Sequence, residues 1–169
     1  MFCVCTPYIS AFCQINKQNG VNIEEISKKI FSLSKKNDPD SRNQLQKKAI
    51  ELSKSNEESL VHLSIWIYNH LEDESRVMYI ENLLLKKFPY GDFARYKAFD
   101  NLFKDESLSA NDLEVEYKKI VENFPIQSFP IHIYDVNTSQ YVWAMAKLAS
   151  QFYKEDNFDK GNEYFSRGI

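Results

Sequence analysis

One phrase occurs twice in this chain and limits its fold more than any other feature. Leu84-Leu85-x-x-Phe88-Pro89 returns as Ile120-Val121-x-x-Phe124-Pro125, about 36 residues later. In each copy, apolar residues at three- and four-residue spacing run into a proline. That spacing puts side chains on one face of a helix, and proline stops the helix there. Two helices ending alike, one period apart, predict a repeated helix–turn–helix unit. Gly 4 and Pro 5 in 169 residues are too few for a turn-rich β fold, so the expectation is all-α, with about eight helices.

The stretch from Thr138 to Ile169 has the same construction. Met145, Leu148 and Phe152 share one helical face, with the small Ala149 beside them. Asp156-Asn157 supplies a turn and an N-cap. Phe158, Gly161, Phe165 and Gly168 follow. The spacing resembles the tetratricopeptide (TPR) repeat, W-x₂-L-G-x₂-Y … A-x₃-F, with Met for Trp, Ala for Gly, Phe for Tyr and Gly for Ala. Phe88-Pro89-Tyr90-Gly91-Asp92-Phe93-Ala94 is similar to a helix junction of envelope TPR proteins in Gram-negative bacteria, where the wording is F/Y-P-x-S-x-x-A. Gly91 stands in place of that Ser. The resemblance implies antiparallel helix pairs stacked in a right-handed solenoid. Ala149 and Gly161 would let two helices nest, and Phe165 would fill the space beside Gly161.

The rest of the chain reads as helices of the same kind. Asn22 caps a helix to about Lys36, with Ile23, Ile26, Ile30 and Leu33 on one face. Asp38 and Pro39 open a second, whose thin stripe of Leu45, Ala49 and Leu52 suggests a surface helix covering the first. Ser55-x-x-Glu58 is a capping box. It precedes a helix apolar over a wide arc, from Leu60 to Leu71, and such helices are usually central. Val77, Ile80, Leu83, Leu84 and Phe88 mark a fourth, Asp92 caps a fifth, and Ser109-x-x-Asp112 opens a sixth. A single repeat domain over 22–169 is expected, clearest over 75–169. Pro125 to Asn137, with two prolines and an Ile-His-Ile-Tyr alternation, reads as a loop laid over the helices or a binding element.

Residues 1–13 carry no charge and end Ala11-Phe12-Cys13, as a secretory signal does, although no Lys or Arg precedes the apolar part. A short strand or helix packed on the domain is the other reading. Residues 14–21 are a polar linker. Cys3, Cys5 and Cys13 all lie in the apolar segment, so cleavage after Cys13 would leave a mature chain starting at Gln14 without thiols. The expected location is then periplasmic or secreted, or cytoplasmic if 1–13 is not a signal.

Net charge is −3 with both signs interspersed, and no basic stripe points to nucleic acid. No apolar run is long enough for a membrane-spanning helix. No phosphate-binding loop, dinucleotide fingerprint or nucleophile elbow occurs. His62 and His70 lie two turns apart on one helix, near the acidic Glu72-Asp73-Glu74. A small metal-dependent enzyme could use them only with a third element, so no catalytic residue, cofactor or metal is assigned. TPR grooves commonly take a partner's extended segment or helix. The resemblance therefore points to Tyr90, Tyr96, Lys97 and Asn101 on a groove-forming helix, with Tyr141 on the next, as residues for a protein or peptide partner. These tyrosines could instead be core residues with their hydroxyls at the rim. The expected function is a non-enzymatic, exported interaction scaffold. The repeats also look like the helical N-terminal part of envelope thioredoxin-fold disulfide reductases, which makes an accessory domain of a thiol-disulfide oxidoreductase the alternative. Phe165 and Ile169 lack a polar cap helix, so a further domain or a partner is expected to cover them.

Overall fold

The computed structural model describes residues 23–36, 38–126 and 136–168. The signal-like segment with its cysteines, the 14–21 stretch, Asn22 and most of the Pro125–Asn137 loop lie outside the described residues. The described residues form eight helices and no strand. They are α1 (Ile23–Ser34), α2 (Pro39–Ser53), α3 (Glu58–His70), α4 (Glu74–Lys87), α5 (Asp92–Lys104), α6 (Ala110–Asn123), α7 (Val136–Lys154) and α8 (Phe158–Arg167). The all-α expectation therefore holds.

The chain divides after Phe93 into two compact units. In the first, α3 touches α1, α2 and α4, which makes it the central helix its wide apolar arc foretold. Leu60, Val61, Ile65, Ile67 and Tyr68 are buried on it. The stripe on α2 is thin but complete: Leu45, Ala49 and Leu52 are all buried. Contrary to expectation, α2 packs chiefly on α3 and less on α1. Asp38 caps α2, its Oδ1 accepting from the Ser41 N–H at 2.8 Å with Pro39 at the first position. On α4 only Ile80 and Leu84 are fully buried, while Met78, Tyr79 and Leu85 face out.

The second unit is built around α7, which lies along α8 and touches α6. Ser109 caps α6, as expected, by accepting from the Asp112 N–H. Leu148, Ala149 and Phe152 of α7 are buried, and Met145 packs against them. Gly161 is buried too, and its space is taken by a ring: a Cβ there would meet Tyr153 at 2.5 Å. The inward face of α8 is nevertheless offset from the expected one. Tyr164 is buried, while Phe158 and Phe165 are exposed at 59% and 55%. Gly161 and Tyr164 are three apart, so they share a face as well as Gly161 and Phe165 would. Tyr164 wins because its ring stacks on Phe152 at 5.8 Å and its hydroxyl reaches the Glu114 carboxylate. A phenylalanine could make only the first of these contacts.

Candidate functional site

The helix ends carry the polar chemistry of both units. Glu58 does not form the capping box with Ser55. The Ser55 hydroxyl accepts from the Glu57 N–H, and Glu57, at the N-cap of α3, gives no side-chain cap. The Glu58 carboxylate crosses instead to the start of α5. There it accepts from the Asp92 N–H at 3.1 Å and the Phe93 N–H at 2.7 Å. Unpaired N–H groups and the positive end of the helix dipole make that a favourable place for a carboxylate. Asp92, expected to cap this helix, is its first residue. Gly91 gives the carboxylate room: a Cβ there would lie 2.2 Å from a Glu58 oxygen. Gly91 thus goes with a cap supplied from another helix.

One turn along α3, His62 tilts against the Phe93 ring at 5.5 Å. Burial pushes the imidazole down to about 4, against the opposing pull of Glu81. His70 lies flat on Trp66, rings 5.9 Å apart. Eight residues of helix put the two histidines about 12 Å apart. Among the described residues, no group of three or more His, Cys, Asp or Glu side chains is placed to hold a metal ion.

The second unit has the same kind of long-range caps. Glu155, in the turn after α7, accepts from the Ala110 N–H at 2.7 Å, at the start of α6. The Lys147 ammonium donates to the Leu102 and Phe103 carbonyls at 2.8 Å and to that of Asp105 at 3.1 Å. It thus closes the C-terminal end of α5, where a cation is favoured. Glu114 of α6 is buried. It takes hydrogen bonds from Tyr164 at 2.8 Å and from Lys160, and an ion pair from Lys118 at 2.8 Å. Burial alone would raise the Glu114 carboxyl. The bonds from Lys118, Lys160 and Tyr164 outweigh it and bring it down to about 2. Burial, and then the bond to Glu114, push the Tyr164 phenol up.

The residues expected to meet a partner separate into different settings. Tyr90 stands out of the turn before α5 with 72% exposure. Tyr96 and Asn101 are exposed on α5, and Lys97 is half-buried. Tyr141 has to be corrected. It is buried against Phe99, rings 4.8 Å apart, and its hydroxyl donates to the Phe124 carbonyl at 2.6 Å. It is a core residue because its hydroxyl finds a carbonyl inside, which removes the cost of burying it. Trp143 was missed in the sequence: it is 69% exposed on α7. Its signal was available, because it lies off the Tyr141–Leu148–Phe152 stripe. The caps Glu58, Glu155 and Lys147 had no such signal, since their partners lie 34 or more residues away. No family model, curated protein or solved structure matches this chain.

Proposed function

We propose that the chain is a non-enzymatic interaction scaffold, an exported TPR-like helical module that holds a segment of a protein partner against its helix faces. The observation that carries this reading is the aromatic surface left outside filled cores. Trp143 on α7 and Phe158 and Phe165 on α8 are more than half exposed, although Leu148, Phe152 and Tyr164 already fill the interior beneath those helices. Phe158 and Phe165, seven residues apart, share one face of α8, and aromatic residues are enriched at interfaces. On α5, Tyr96, Lys97 and Asn101 add an aromatic, a cation and an amide. Lys97 and Asn101 are one turn apart on a single face. Such a set binds a peptide by area and hydrogen bonds and moves no bonds of its own.

Site-specific photo-crosslinking in the native host tests this. A photoreactive residue at 96, 101, 143 or 165 should yield one discrete protein adduct. The same residue at exposed 122 should not. No adduct from any of the four positions sinks the reading. Export is tested separately: sequencing of the mature N-terminus should begin at Gln14, and a chain beginning at Met1 overturns export by this route.

A further inference from the structure

We propose that the joint between α3 and the first turn of α5 is an acid-sensitive latch, closed while Glu58 is ionised and His62 is neutral, and released as both take up protons. Two contacts make the joint. The two Glu58 oxygens accept from the Asp92 and Phe93 N–H groups, one each. The Phe93 side chain, buried in the core of this unit, lies on the His62 ring. Four residues separate Glu58 from His62, so both stand on the same face of α3. Gly91 completes the socket, because a side chain there would occupy the carboxylate's place.

Each contact holds in one protonation state only. A protonated Glu58 loses the charge that suits a helix N-terminus, and one of its oxygens becomes a donor. A protonated His62 is a charge in a site that disfavours it. Glu81 on α4 acts on it against burial, and Glu58 stands one turn back on its own helix. Burial outweighs Glu81, so folding holds His62 neutral well below its ordinary range. The unfolded chain therefore binds a proton first as pH falls. The stability that a neutral His62 contributes is complete above about 6.5 and is lost down to about 4.

Three measurements on the full chain test the latch. The folding constant of the wild type should fall on the order of a hundredfold between pH 6.5 and 4, and His62→Gln should remove most of that slope. Parallel pH profiles for the two proteins overturn the proposal. If the variant fails to fold, ring-proton NMR of the wild type decides: a His62 midpoint well under 6 supports the latch, and one near the ordinary 6.5 overturns it. Amide exchange, corrected for its intrinsic pH dependence, gives the location. Asp92 and Phe93 should lose protection on acidification before Ile80 and Leu84 do. Simultaneous loss at all four overturns a local release.

Discussion

The two units solve the same problem with different materials. The first has an aliphatic core: Ile30, Leu45, Ile67, Ile80 and Leu84, with Tyr68 and Phe93 as its fully buried aromatics. The second is filled by rings, with Phe99, Phe124, Tyr141, Phe152 and Tyr164 all buried. Their polar fastenings differ in the same direction. The first uses a carboxylate on backbone N–H groups beside a neutral histidine. The second has helix-end caps too, from Glu155 and Lys147, and adds a buried carboxylate ringed by Lys118, Lys160 and Tyr164. Aliphatic side chains carry no polar atom, so a mostly aliphatic core leaves most of its polar fastening to helix ends. Tyrosine brings a hydroxyl inside, so an aromatic core can and must be fastened within. Both tyrosines buried in the second unit obey this: Tyr141 on the Phe124 carbonyl, Tyr164 on Glu114.

The largest test of that contrast is Phe152→Ala. It removes a fully buried ring from the Tyr164 stack and should cost about 3–5 kcal/mol in chemical denaturation. A loss under about 1 kcal/mol would mean that the aromatic core is loosely filled. Next comes Gly161→Leu, which drives a side chain into the Tyr153 ring and should cost about 1–3 kcal/mol. An unchanged melting temperature would show that α7 and α8 are not closely nested.

Acid should then separate the units by window. Folding lowers both His62 and Glu114, so both contribute stability that is lost as pH falls. For His62 the loss runs from about 6.5 to 4, and for Glu114 from about 4.5 to 2. Tyr164→Phe should cost about 1.5–3 kcal/mol at neutral pH, as a bond to a charged group, and should narrow the lower window alone. If it changes the upper window instead, the assignment of windows to units is wrong. The smallest effect compares two changes at one position. Gly91→Ala pushes the Glu58 carboxylate off its N–H groups and should cost about 1 kcal/mol. Gly91→Ser should cost less, since the new hydroxyl can cap α5 itself. Equal losses for the two would mean that the socket is a matter of space and not of capping.

The sequence by itself determined the helices. Their apolar spacing, the stops at Pro89 and Pro125 and the local caps Asp38 and Ser109 are contacts within a few residues, and short-range physics fixes them. It also determined that Ala149 and Gly161 face inward. Tertiary structure alone decided where the polar side chains go. Ser55-x-x-Glu58 has the form of a local cap, yet Glu58 spends its charge on a helix that starts 34 residues later. Phe165 fits the repeat template, yet Tyr164 takes the inside because Glu114, 50 residues back, gives its hydroxyl a partner. Tyr141 could be read as a groove or a core residue for the same reason: its partner carbonyl, 17 residues away, belongs to another element. Hydrophobic burial is set by area and periodicity, which a linear pattern carries. A hydrogen bond needs two atoms at about 3 Å, and only the folded chain brings such atoms together.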